Sequence, residues 1–170
     1  MDELGRLSPE EFQQSAHRPI VLLLDNIRSL QNVGAIFRTA DAFNIEALAL
    51  CGFTGTPPHR ELHRAALGAE DTVAWQHFEH AMDALEHYGD QGYRILALEQ
   101  CEGSVPLQTY EAHPQDRLLL ILGNEVNGVD QALASRADVC LEIPQHGTKH
   151  SLNVATAAGI ALWQLVLPYL

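Results

Sequence analysis

A chain of 170 residues, 46% hydrophobic and 19% charged, has the size and make-up of a single globular domain and excludes a disordered segment. Its formal net charge of −12 excludes nucleic-acid binding through bulk charge alone, because neutralising phosphates takes Lys and Arg. Cys51, Cys101 and Cys140 are far apart, odd in number and without a CxxC pair, which excludes a disulfide frame or zinc finger and suits the reduced thiols of a cytoplasmic protein.

The first stretch, MDELGRLSPEEFQQ, is acidic and lacks the apolar run of a signal peptide. Ser8-Pro9-Glu10-Glu11 has the form of a capping box with proline at the first helical position, so residues 1–18 read as an N-terminal extension carrying a short helix. Residues 19–170 read as one domain. In it IVLLLD is a strand, and Asn32 to Phe43 a helix whose Val33, Ile36, Phe37, Ala40 and Phe43 share one face. ALALCG is a second strand; a loop with TGTPPH then leads to a short helix, ELHRAALGA, and a strand at TVAWQHF. EHAMDALEHYGDQG is a helix ending in glycine, YRILALE and RLLLILGN are strands, DQALASRA is a helix, and VCLEIP is a sixth strand. The closing LNVATAAGIALWQLVLPYL contains Asn153, Thr156, Gln164 and Pro168 and has no basic flanks, so it reads as a buried helix and not a membrane span.

IVLLLD and RLLLILG are apolar throughout, where a half-exposed strand would alternate; that marks a parallel sheet covered on both faces. The alternation of strands and helices therefore predicts an α/β fold, a mostly parallel sheet of about six strands with helices on both faces. Such sheets bind ligands beyond the carboxyl ends of their strands. That singles out DNIRSLQNVG, CGFTGTPPHRE, LEQCEG, LGNEVNGVD and IPQHGTKHSLN, four of which carry unusual clusters of Asn, Gly, Glu, Ser, Arg or Lys.

Within LGNEVNGVD, Gly123 and Gly128 permit close backbone approach to a ligand, or else form a strand-to-helix turn with Asp130 as helix cap. Glu125, just past an apolar strand, needs a partner. No GxGxxG dinucleotide loop and no P-loop is present. In the last of these segments Ser151 is well placed to cap the final helix, while Asn153, facing an apolar helix, signals a hydrogen-bonding duty. Lys149 and His150 read equally well as solvated loop residues. Arg38 precedes Asp41 by three residues, so a weak surface ion pair is its plainest reading. His59 and His63 have i, i+4 spacing but no third ligand, and no metal site is assigned.

Read together, three segments resemble the SpoU (TrmH-like) family of RNA 2′-O-ribose methyltransferases in the SPOUT superfamily. They are NVGAIFRTADAF (Asn32 to Phe43), LILGNEVNGV (Leu120 to Val129) and IPQHGTKHSLNVATAAGIAL (Ile143 to Leu162), in family order and spacing. The resemblance implies a SPOUT-type fold with a C-terminal trefoil knot, which general topology rules would have set aside. It also implies S-adenosylmethionine as cofactor and a homodimer packed through helices that include the last one. By position it places Asn32, Arg38, Glu125, Ser151 and Asn153 at the catalytic edge, with Gly34 on that same edge. Gly123, Ile143, Ser151 and Leu152 match cofactor-holding positions; Leu98 is added from sheet geometry, as the end of a neighbouring strand.

Methyl transfer to a ribose hydroxyl is an in-line displacement that needs alignment and loss of the hydroxyl proton. Arg38 is a poor lone base because its guanidinium stays protonated, so it is expected to grip the adjacent phosphate and stabilise developing oxyanion character. Ten acidic residues against Arg94 between Ala66 and Asp116 would repel RNA. Arg28, Arg38, Arg60, Arg64 and Lys149 are therefore expected to gather around the site as the RNA-binding set. The expected substrate is tRNA; the alternatives are ribosomal RNA with the same chemistry, or a cofactor-binding, RNA-associated protein without transferase activity.

Overall fold

The computed structural model describes residues 8–148 and 151–170, so Lys149, expected to bind RNA, lies outside the described residues. Thirteen regular elements follow in chain order: α1 (Pro9–Gln14), β1 (Arg18–Asp25), α2 (Leu30–Ala42), β2 (Ile45–Cys51), α3 (Arg60–Ala66), β3 (Trp75–Phe78), α4 (Ala81–Asp90), β4 (Arg94–Leu98), β5 (Val105–Pro106), β6 (Leu118–Leu122), α5 (Gln131–Ala134), β7 (Val139–Glu142) and α6 (Val154–Val166). The strands form one seven-stranded sheet in the order β3-β2-β1-β6-β4-β7-β5, with every pairing parallel. The α/β class with helices on both faces is as the apolar strands implied. The seventh strand is β5, whose two residues add to the edge beside β7.

The sheet has two buried faces because its central strands are apolar through their middles. Ile20, Leu22 and Leu24 of β1 point to one side, where α2, α3 and α6 supply Val33, Phe37, Leu62, Ala161 and Leu162. Val21 and Leu23 point to the other, against Ala84, Leu85 and Leu133 of α4 and α5. Phe12 of α1 is also buried in the first cluster, so the helix of the N-terminal extension packs with the rest. The Ser8 capping box with Pro9 at the helix start is present. Among the described residues no helix is long and apolar enough to cross a membrane.

The helix α2 begins where Ser29 accepts a hydrogen bond from the Asn32 N–H at 3.2 Å, and its Val33, Ile36, Phe37 and Ala40 stripe drives it onto the sheet. Gly34 does not belong to the catalytic edge, contrary to expectation. It is buried against α3, where an added Cβ would lie 2.4 Å from the Leu62 carbonyl oxygen; glycine is there to let two helices cross closely. The chain order reverses between β1, which leads outward to β2 and β3, and its neighbour β6. That switch point puts the loops after β1 and β6 side by side at the carboxyl edge.

Candidate active site

A cavity of about 560 Å³ opens beyond the carboxyl ends of β4, β6 and β7. Leu98, Gly123, Ile143, Ser151 and Leu152, the five residues expected to hold a cofactor, all line it, as do Glu125 and Asn153. Its walls are mixed: Leu98, Leu141, Ile143 and Leu152 are apolar, while the Gly123–Gly128 loop presents backbone and polar groups.

That loop is built by its own hydrogen bonds. The backbones of Asn124 and Gly128 exchange N–H to O bonds of 3.0 and 2.9 Å. The Asn124 side-chain oxygen accepts from the N–H groups of Val126 (2.9 Å) and Asn127 (3.2 Å), and its amide donates to the Asn26 carbonyl at 2.6 Å. Glu99 closes the far side, its carboxylate accepting from the Val129 N–H at 2.8 Å and the Gln100 N–H at 3.0 Å. Glycine is required twice. Gly128 has φ +70°, and an added Cβ would strike the Glu99 carboxylate; a Cβ on Gly123 would lie 2.1 Å from the carbonyl carbon of Gly128. Glu99 and Asn124 carry no sequence signal of their own, although LEQCEG is a strand-end segment and Asn124 adjoins Glu125.

The partner that Glu125 required is the start of α2. One carboxylate oxygen accepts from the Arg28 N–H at 3.0 Å, the other from the Ser29 N–H and the Asn32 side-chain amide, both at 3.1 Å. Burial pushes this carboxyl up, but the hydrogen bonds from Arg28, its own backbone, Asn32 and Ser29 outweigh burial and hold it below the usual value of 4.5. Because the Asn32 amide donates to Glu125, its oxygen is left to accept, and it receives the Asn153 amide at 3.0 Å. The Asn153 oxygen then accepts from the N–H groups of Ala155 (2.9 Å) and Thr156 (3.2 Å). The carboxylate thus sets the orientation of both amides in turn.

Asn153, not Ser151, caps α6; the helix starts at Val154, so the capping place falls one residue before it, and Ser151 is left at the cavity wall. His59 caps α3, with its Nδ1 accepting from the Glu61 N–H, and His63 pairs with Glu70.

The arginines stand outside the cavity. Arg28, Arg38, Arg60 and Arg64 are exposed, and none lines it; Arg28 joins the site through its backbone only. The Arg38 side chain makes no hydrogen bond or ion pair among the described residues, and Asp41 accepts from the Thr72 hydroxyl instead. Asn32 and Arg38 are six residues apart on α2, roughly 9 Å along its axis at the helical rise per residue.

The same fold occurs in proteins of solved structure. The profile of the SpoU rRNA Methylase family matches residues 19–163. The 23S rRNA (guanosine(2553)-2′-O)-methyltransferase RlmP of Bacillus subtilis (strain 168) is 33% identical over 92% of this chain and 61% of its own. An AdoMet-bound rRNA methyltransferase from Sinorhizobium meliloti superposes with TM-score 0.82 at 30% identity, over 95% of this chain and 60% of that one. A structure described as giving insight into 2-OH methylation of C/U34 on tRNA superposes with TM-score 0.76 at 27% identity, over 88% of this chain and 95% of its own. The chain spans about three fifths of the length of the curated relatives RlmB and RlmP, 59% and 61%. With seven parallel strands, a cavity at their carboxyl edge and a family match over most of its length, the chain belongs to the SpoU methyltransferase family.

Proposed function

We propose that this chain is an S-adenosylmethionine-dependent RNA 2′-O-ribose methyltransferase. The observation that carries the reading is the Glu125–Asn32–Asn153 hydrogen-bond chain at the rim of the cavity. It holds three polar residues from distant parts of the chain, the first turn of α2, the loop after β6 and the cap of α6, in one arrangement, beside a cavity within the 300 to 1,000 Å³ range typical of small-ligand sites.

The residues present suit the cofactor. Leu98, Ile143 and Leu152 offer the apolar contact a purine ring needs, and the Gly123–Gly128 loop offers backbone groups at a place where side chains would not fit. When bound, S-adenosylmethionine supplies a sulfonium methyl group for displacement by a hydroxyl. The chain's residues then have to align and desolvate the ribose. Asn32 and Asn153 are fixed in orientation and edge the site; Ser151 faces the same cavity. In this reading Arg38 grips the phosphate next to the target ribose and stabilises charge developing on the 2′-oxygen, with the phosphate relaying the proton. Its exposed place outside the cavity suits a contact with a bulky substrate.

A second copy packs on α6, whose Ile160 and Trp163 lie exposed in line with Leu167 just past its end, opposite a buried face of Ala158, Ala161, Leu162 and Leu165. A C-terminal trefoil knot suits a cavity to which the β4, β6 and β7 loops all contribute, with Glu99 hydrogen-bonded to Val129. The setting is cytoplasmic, in keeping with three free cysteines.

As substrate we propose tRNA, supported by the tRNA-methylation structure of which this chain spans 95%. Ribosomal RNA is the second reading, favoured by the names of RlmB and RlmP. Incubation with radiolabelled S-adenosylmethionine and, separately, bulk tRNA and ribosomal RNA from cells lacking this chain decides between them. Label in tRNA alone supports the first; label in ribosomal RNA alone supports the second. Label in neither, with the cofactor bound, identifies a binding protein. Arg38→Ala is expected to abolish transfer and leave cofactor binding intact.

A further inference from the structure

Phe53 is an exposed aromatic on a turn whose backbone is fixed by hydrogen bonds. Its side chain is 60% exposed; among the described residues the other exposed large aromatic is Trp163, on α6. Exposure of one apolar side chain is ordinary on a mobile loop. Here the turn is pinned on both sides. Gly52 takes φ +61° with its Cα against the Asn26 side chain, where an added Cβ would lie 2.1 Å from Oδ1. That same Asn26 oxygen accepts the Phe53 N–H at 3.1 Å. Thr54 is buried, its hydroxyl donating to the Leu24 carbonyl and accepting from the Ile27 N–H, both at 3.0 Å.

The pinning group also belongs to the site. The Asn26 carbonyl accepts the Asn124 amide, and Asn124 lines the cavity. Two residues after Asn26 comes exposed Arg28, whose N–H binds Glu125. The connection that carries Phe53 runs directly into α3 and its exposed Arg60 and Arg64, four residues apart. In a chain of net charge −12, an exposed aromatic at the carboxyl edge of the sheet, with exposed arginines on the segments that pin it and follow it, has the composition of a single-stranded RNA site.

We propose that Phe53 is a stacking platform for an unpaired nucleobase of the RNA substrate near the target ribose, with Arg28, Arg60 and Arg64 on the neighbouring phosphates. This rests on the RNA methyltransferase reading above and adds a base-binding subsite to it. Stacking needs a π-face, not merely bulk, so aromatic and aliphatic replacements separate. Being exposed, the position tolerates both without loss of fold.

The test measures methyl transfer against concentration of whichever bulk RNA the wild type modifies, for wild type, Phe53→Leu and Phe53→Trp, with cofactor affinity by calorimetry. Phe53→Leu is expected to lower kcat/KM for RNA about tenfold, within the range of one lost stack, with cofactor affinity unchanged. Phe53→Trp is expected to stay within about twofold of wild type, since indole stacks as well. Equal activity of Phe53→Leu and wild type overturns the platform alone, as does equal loss in both variants. A shift in oligomeric state with Phe53→Leu at unchanged RNA kinetics makes the residue a contact between copies and also overturns it. Absence of transfer by the wild type overturns the underlying reading instead.

Discussion

Replacing Glu125 by Gln leaves the shape of the side chain and removes its charge. The carboxylate now accepts three N–H bonds, from Arg28, Ser29 and Asn32. An amide has one accepting oxygen, so one end of the substituted side chain must present N–H groups to an N–H donor. A hydrogen bond to a charged group contributes about 1.5 to 3 kcal/mol, and partial exposure of Glu125 puts the loss at the lower end of that range. At about 1.4 kcal/mol per tenfold change, the arrangement of Asn32 and Asn153 becomes roughly ten times rarer. Steady-state transfer assays should therefore show kcat/KM for RNA about tenfold down. Calorimetry should show a much smaller change in cofactor affinity, because Gly123 and Ile143 are untouched. Asn32→Ala added to Glu125→Gln should cost little more, since both break one chain of bonds. Wild-type kcat/KM in Glu125→Gln, or a loss explained wholly by weaker cofactor binding, would refute the role given to this carboxylate.

Gly123→Ala would drive a Cβ to 2.1 Å from the carbonyl carbon of Gly128 and 2.2 Å from the Val129 nitrogen, and backbone atoms cannot turn aside. Calorimetry should find cofactor affinity at least about tenfold weaker, with thermal stability lowered by about 1 to 3 kcal/mol. Asp25 is buried at the end of β1, and burial, then the charge of Asp130, raise its pKa above 3.8 despite the Asn26 hydrogen bond. A raised folded pKa gives stability at low pH that is lost as pH rises through that value. Urea midpoints of wild type should thus fall relative to Asp25→Asn on going from acid to neutral pH; parallel curves would contradict this. Glu125 has the opposite sign: its depressed pKa adds stability above the usual 4.5, which is lost as pH falls. Trp163→Asp places a charge in the exposed α6 stripe and should shift light-scattering mass from dimer to monomer.

The fold was legible because its signal is repeated: β1 and β6 are apolar through their centres, which only a doubly covered strand needs. Strand β5 was not, since two residues paired to an edge leave no periodicity. At the site, Glu125 and Asn153 were readable as polar residues in apolar surroundings that required partners. The resemblance put Asn32 on the same edge, but no spacing could pair it with Asn153, because the two lie 121 positions apart and only the fold brings them together. Gly34 misled because a glycine that relieves a helix crossing looks, in sequence, like one that admits a ligand. Glu99 and Asn124 escaped notice because they bind backbone N–H groups, and such duties leave no side-chain pattern. Arg38 is the reverse case. The resemblance marks it strongly, while among the described residues its exposed side chain makes no hydrogen bond or ion pair.

A ribose methyltransferase leaves its methyl group on a 2′-oxygen. A 2′-O-methyl group blocks alkaline cleavage of the following phosphodiester, so the position of transferred label can be read from the hydrolysis products of the RNA. Labelled RNA digested in alkali should release its radioactivity in resistant dinucleotides, and Arg38→Ala should release none. Label released in mononucleotides would mean methylation of a base and would contradict the account.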